Sequence, residues 1–269
     1  MCILSFLPAG VPADVDGLFN GGINNPHGHG WAIVDGERIV AGKSLDLADA
    51  LDDFIRAREK RLDGPALFHS RWATHGSIRI DNVHPFAVGG RVTTVVAHNG
   101  ILPAAAHPDD GDDRSDTRKF ADEILPGRFR RLDRRTVQSA LAQWCGAANK
   151  LVILTVEPRY RRNAYLVNEP GGTWDESTGI WHSNRDYQDY SQWRHCEADG
   201  IGSGPGDAAT EPYVSWCGIC GYGVVDSYGY CTECRSCADC YEHVRYCMCW
   251  CGRGYRDALG DPGSGVVVG

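Results

Sequence analysis

Short apolar runs bounded by turn residues alternate, along the first 185 residues, with stretches whose apolar positions recur every three or four. Cys2-Ile3-Leu4-Ser5-Phe6 predicts a strand that begins at Cys2, and residues 14–20 predict a short helix. Gly21, Gly22, Pro26, Gly28 and Gly30 predict an irregular stretch over 21–32 that lets backbone approach a ligand. It leads into a strand at 31–34, a Gly36-Glu37 hairpin turn and a second strand at 38–41. Over 45–61, Leu45, Ala48, Leu51, Phe54 and Ile55 fall on one helical face, with charge opposite. Gly64-Pro65 ends that helix before a buried strand at 66–70, and a loop carries His84-Pro85-Phe86. A β-branched strand at 91–97 runs up to His98-Asn99-Gly100. Ser115 suits the N-cap of a helix from Asp116 to about Leu125. A second helix at 133–145 gathers Val137, Leu141 and Trp144 on one face. Strands follow at 151–156, 164–167 and 180–183, the last after a turn at 174–179. Strands lead, helices fall between and strands close, which predicts a mixed α+β domain over residues 2–185.

Composition adds to this at a few points. The 269 residues, 42% hydrophobic, suffice for one or two buried cores. A net charge of -8 argues against nucleic acid or anionic membrane as a partner. The N-terminal segment lacks the basic region of a signal peptide and no apolar run approaches a membrane span, so a soluble, cytoplasmic protein is expected. Residues 107–116 are rich in aspartate; Arg128, Arg130, Arg131, Arg134 and Arg135 form a basic run read as a solvated surface that answers it. Residues 186–215, with Gly200, Gly202, Gly204, Pro205 and Gly206, read as a linker. Residues 216–252 form a cysteine-rich module and 253–269 a flexible tail.

The chemistry starts at Cys2. Removal of Met1 would leave one residue carrying both a thiol and a free α-amine, a nucleophile and its base. Three downstream segments supply partners: His69-Ser70-Arg71-Trp72-Ala73-Thr74-His75-Gly76, His98-Asn99-Gly100 and Ser115-Asp116-Thr117. In order and spacing these resemble the glutaminase domain of class II glutamine amidotransferases, which are N-terminal-nucleophile hydrolases. The resemblance covers residues 2–185 and implies a four-layer αββα sandwich.

It also implies residue roles. Arg71 would grip the α-carboxylate of glutamine, which suits a planar fork of donors. Trp72, Thr74 and His75 would line the same pocket, and Asp116 would bind the α-ammonium. The Asn99 side chain and Gly100 backbone N–H would form the oxyanion hole. Cys2 would attack the side-chain amide, pass through a γ-glutamyl thioester and release ammonia, with no cofactor needed. The family's loop near the nucleophile corresponds to Asn25-Pro26-His27-Gly28-His29-Gly30-Trp31, and this chain has His27 where an aspartate is common. No acceptor domain is visible after residue 185, so the resemblance further implies a separate synthase subunit that consumes the ammonia. Two other readings stand beside it: a stand-alone hydrolase of another γ-glutamyl amide, and a docking protein with a weakly active glutaminase-like fold.

Nine of the twelve cysteines crowd into residues 217–251. Cys217-x2-Cys220 and Cys231-x2-Cys234 have the spacing of a tetrahedral zinc site. Cys237, Cys240, Cys247 and Cys249 extend the donor set to a second ion, with Cys251 and His243 beside them. Cys231-x2-Cys234-x2-Cys237 also keeps an iron–sulfur reading open.

Overall fold

The computed structural model describes residues 2–73 and 77–188, together with Cys231. The chain divides into two compact units, Met1–Gly200 and Ile201–Gly269. The expected cysteine module and tail lie outside the described residues, as does all of the expected linker beyond residue 188.

Two antiparallel sheets carry the first unit. The larger holds β1 (Ile3–Leu7), β2 (His29–Asp35), β3 (Arg38–Ser44), β4 (Ala66–Ser70), β9 (Thr173–Trp174) and β10 (Trp181–His182), in the order β3-β2-β4-β1-β10-β9. The smaller holds β5 (Phe86–Val88), β6 (Arg91–Asn99), β7 (Lys150–Thr155) and β8 (Ala164–Val167) in sequence order. β1 lies inside the larger sheet, with Ile3 opposite Ser70 on β4 and Ser5 opposite His182 on β10.

Side-chain alternation sorts the apolar residues into three cores. Leu4, Phe6, Ala32, Val34 and Leu67 face Val95, Ala97, Val152 and Leu154 across the space between the sheets. Leu7, Trp31, Ile33, Ala66 and Phe68 point the other way and meet Leu18 of α1 (Val15–Asn24) and Ala50, Leu51 and Phe54 of α2 (Leu47–Glu59). Val96, Leu151 and Ile153 point outward from the smaller sheet onto Phe120, Leu125, Leu141 and Cys145. Those come from a π-helical segment (Phe120–Ile124), which continues α3 (Asp116–Lys119), and from α4 (Leu125–Arg128) and α5 (Arg135–Cys145). The layers therefore run helix, sheet, sheet, helix. Strands covered on both faces read as continuous apolar runs, which is why β1, β2, β4 and β7 stand out in the sequence.

The structure corrects one expectation about the irregular stretch. α1 runs through Gly21 and Gly22 to Asn24. A Cβ on Gly21 would sit 2.9 Å from Ile3, and one on Gly22 would sit 2.2 Å from Leu47. These glycines bring a helix close to a strand and to α2; they do not open a loop. The basic run is a second correction. Among the described residues the aspartate-rich loop is answered by Arg114, which pairs with Asp112 at 2.8 Å, and by Arg79 and Lys119, which pair with Asp113 and Asp109. Among the described residues, no helix is long and apolar enough to cross a membrane.

Candidate active site

Cys2 stands one residue ahead of β1 and close to the end of β4. Its thiol donates to the Trp72 carbonyl at 3.4 Å, and the Trp72 N–H points at its sulfur at 3.3 Å. Burial pushes the thiol above its ordinary value, partly offset by the Trp72 backbone and by the Arg71 charge. At neutral pH the sulfur is therefore protonated, and a base must take its proton before it can attack.

Arg71 follows β4 directly. Its guanidinium is buried and donates through Nη1 to Ser77 O at 2.9 Å. Burial pulls the guanidinium below its ordinary value, while Cys2 and Asp116 act to raise it. Trp72 beside it is 40% exposed, as suits a wall of an open pocket. Thr74 and His75 lie outside the described residues.

Asp116 begins α3, with the Ser115 hydroxyl capping the helix by accepting from the Arg118 N–H. One Asp116 oxygen takes the Leu102 N–H at 2.9 Å; the other takes the Thr117 N–H at 2.6 Å. This carboxylate thus braces the chain just past Gly100, and its charge acts on both Cys2 and Arg71.

Asn99 ends β6 and is buried. Its Nδ2 donates to Ser183 Oγ at 2.8 Å, and its Oδ1 has no hydrogen-bond partner among the described residues. Ser183 Oγ also takes the Leu4 N–H at 2.9 Å, so one hydroxyl ties the end of β6 to β1. Gly100 has φ +136°, and a Cβ there would lie 2.3 Å from Asn149 Oδ1. Only glycine permits that turn. Next to it, the His98 ring bridges the Thr117 hydroxyl at 2.9 Å and Asn149 Oδ1 at 2.8 Å. His69 donates from Nε2 to His98 O at 3.0 Å, since a carbonyl can only accept. Burial holds His69 down at about 3, so this ring is neutral. Cys2, Arg71 and Asp116 are therefore close enough to act on one another electrostatically, with Asn99 and Gly100 fixed through Ser183 and Asn149.

Several contributors were not foreseen from sequence. Asn184 Nδ2 donates to Cys2 O at 3.0 Å and to Asp186 Oδ2 at 3.3 Å, and Asn25 Nδ2 donates to the same Asp186 oxygen at 3.1 Å. Burial pushes the Asp186 carboxyl up. Asn82 donates to Asp113 O and accepts from the Ser115 N–H, and its Nδ2 also reaches Ser77 O, the Arg71 partner. Apart from Asn25, which opens the loop matched to the family's loop near the nucleophile, none of these sits in a recognisable motif.

Of the eight cysteines expected to hold metal, Cys217, Cys220, Cys234, Cys237, Cys240, Cys247 and Cys249 lie outside the described residues, and Cys231 is described alone. Among the described residues, no group of three or more His, Cys, Asp or Glu is placed to hold a metal ion.

No protein-family model matches the chain. Curated relatives match part of it. The glutamine–fructose-6-phosphate aminotransferase of Vibrio parahaemolyticus is 41% identical over 78 residues, 27% of this chain and 12% of that protein. The enzyme of that name from Neisseria meningitidis serogroup A is 47% identical over 74 residues, 27% of this chain and 11% of its own. The chain thus covers only about an eighth of the length of these two relatives. Among solved structures, a glutamine phosphoribosylpyrophosphate amidotransferase from Bacillus subtilis aligns over 68% of this chain and 41% of its own, with a TM-score of 0.44 and 19% identity. A glutamine aminotransferase class-II domain protein from Silicibacter pomeroyi aligns over 68% of this chain and 87% of its own, with a TM-score of 0.33 and 14% identity.

Proposed function

We propose that residues 2–185 form a glutaminase domain of the class II glutamine amidotransferase kind, an N-terminal-nucleophile hydrolase with Cys2 as nucleophile. The observation that carries this reading is the Cys2 thiol hydrogen-bonded to Trp72, next to a buried Arg71 and within electrostatic reach of Asp116. The local identity to glutamine–fructose-6-phosphate aminotransferases supports it.

Each group has work to do. Arg71 and Asp116 hold the two charges of glutamine's α-carbon, which leaves the side-chain amide facing Cys2. The buried thiol passes its proton to the α-amine freed by loss of Met1, and sulfur attacks the amide carbon. The oxyanion is stabilised by Asn99 Nδ2 and the Gly100 N–H. Ammonia leaves with a proton from the α-amine. Water then hydrolyses the thioester to glutamate.

Intact-mass measurement combined with a glutamate-release assay tests the reading. The expected result is a mass lacking Met1 together with ammonia and glutamate in equal amounts. An active enzyme that retains Met1 would overturn the mechanism. A protein that has lost Met1 but hydrolyses only other γ-glutamyl amides would move the substrate and keep the chemistry. The ammonia acceptor we assign to a separate synthase subunit, whose docking raises turnover by closing the pocket.

For residues 217–251 we propose structural zinc, because paired thiols at that spacing suit a tetrahedral soft-ligand site and this segment has little apolar material to fold by itself. Elemental analysis of anaerobically purified protein is expected to find zinc; iron with sulfide would refute the assignment.

A further inference from the structure

We propose that His27 is a proton-sensitive latch on the Arg71–Ala73 segment, holding it in place only while its imidazole is neutral. This rests on the glutaminase reading for what the segment binds, although the latch itself is a property of the backbone geometry.

The segment and the loop before β2 are stitched together by main-chain bonds. His27 N–H donates to Arg71 O at 2.9 Å, and Arg71 N–H donates to Gly28 O at 2.8 Å. These extend the pairing of β2 with β4 past the last strand residues. The next bond leaves the main chain: Ala73 N–H donates to His27 Nδ1 at 2.9 Å. The His27 ring also packs on the Trp72 ring, with centroids 5.0 Å apart. One histidine thus secures three consecutive residues. These include the proposed carboxylate grip and the residue whose backbone faces the Cys2 sulfur.

An Nδ1 that accepts a hydrogen bond carries no proton, so the ring is the neutral tautomer with its hydrogen on Nε2. Protonation would put a second N–H opposite the Ala73 N–H, donor against donor. A carboxylate in the same place accepts at any ordinary pH. A carboxylate would thus give a latch that stays shut, and the histidine makes it titrate. The ionised group acting on His27 among the described residues is Arg71; the Cys2 thiol, bonded to Trp72, is the other titratable group at this junction. Burial first, and then Arg71, holds the imidazole below its ordinary 6.5. The latched state therefore disfavours the proton. Its contribution is fully present above about 6.5, the value of a released histidine, and is lost as pH falls from there through the lower latched value.

The test compares the wild-type protein with His27→Asn and His27→Phe between pH 8 and pH 5.5. Asparagine offers an acceptor near the position of Nδ1 and has no proton to gain. Phenylalanine keeps a ring against Trp72 and offers no acceptor. For the wild type, KM for glutamine is expected to rise on acidification, approaching about tenfold per pH unit, the slope of one proton. His27→Asn should remove that rise, and His27→Phe should show the high KM at both pH values. Nitrogen-15 imidazole shifts, assigned by their loss in His27→Asn, read the tautomer directly, and the Ala73 amide shift should follow the same titration. A protonated Nδ1 at pH 8, or an acid rise in KM that survives in His27→Asn, would overturn the latch. Absence of glutamine turnover at every pH, with the imidazole and Ala73 signals titrating together, would count against the glutaminase reading and leave the latch standing.

Discussion

Replacing Cys2 by alanine is expected to abolish glutamine turnover, with kcat falling by about four to six orders of magnitude, as when other enzymes lose their nucleophile. The loss should be chemical and not structural. The sulfur makes no contact in any of the three cores. Its contact with the Trp72 N–H is at the edge of the fold, where water can replace it. Losing both contacts of the sulfur with the Trp72 backbone costs about 1 kcal/mol each at most, so thermal unfolding should move by less than about 10 °C. Glutamate release and a melting curve on the same sample separate the two effects. A glutamine-mimicking electrophile should label the wild-type protein at Cys2 and leave the alanine variant unmarked. Residual turnover within a hundredfold of wild type would mean that another group attacks.

Asn99→Ala is expected to lower kcat by about 10²–10³ with KM nearly unchanged, because an oxyanion donor acts on a charge that exists only during reaction. The geometry sharpens this expectation. Asn99 is buried, and Ser183 holds its Nδ2, leaving one further hydrogen on that nitrogen to donate. Ser183→Ala should therefore lower kcat as well, and by less, since the amide remains but is no longer fixed. The Leu4 N–H would also lose its partner in that variant, so its melting temperature must be reported beside its rate. If Asn99→Ala keeps kcat within twofold of wild type, the oxyanion assignment is wrong.

The strands were legible because burial leaves a clear apolar pattern: the predicted 66–70 coincides with β4, buried along its whole length, and 164–167 with β8, where buried and half-buried residues alternate. The end of α1 was not, because Gly21 and Gly22 carry the same letters whether they bend a chain or admit a neighbour. The π-helical segment over Phe120–Ile124 leaves no signal in the sequence pattern either, since its side chains still meet the core. At the site, Arg71, Asn99, Gly100 and Asp116 could be named because each lies in a compact motif. Ser183, Asn184 and Asp186 could not, because they meet Cys2, Leu4, Asn99 or Asn25 only after folding, across 84 residues for Asn99–Ser183 and 182 for Cys2–Asn184. The asparagine, serine and histidine residues around the nucleophile carry no hydrophobic pattern, so their positions follow from the sheets and not the reverse.

The place of β1 in its sheet has a consequence for the order of events during synthesis. Its two neighbours are synthesised about 65 and 180 residues after it, the second being β10. At about 5–20 residues per second, Cys2 waits roughly 10–40 s before that second neighbour exists. Until then one side of β1 lacks its neighbour, and the proposed removal of Met1 has that interval in which to occur. Ser183 and Asn184, which bond the Asn99 side chain and the Cys2 carbonyl, are translated right after β10. On the proposed reading, loss of Met1 and assembly of the site around Cys2 are thus separated in time by the length of the domain, and a nascent chain stalled before residue 181 would lack the partners that Ser183 and Asn184 supply.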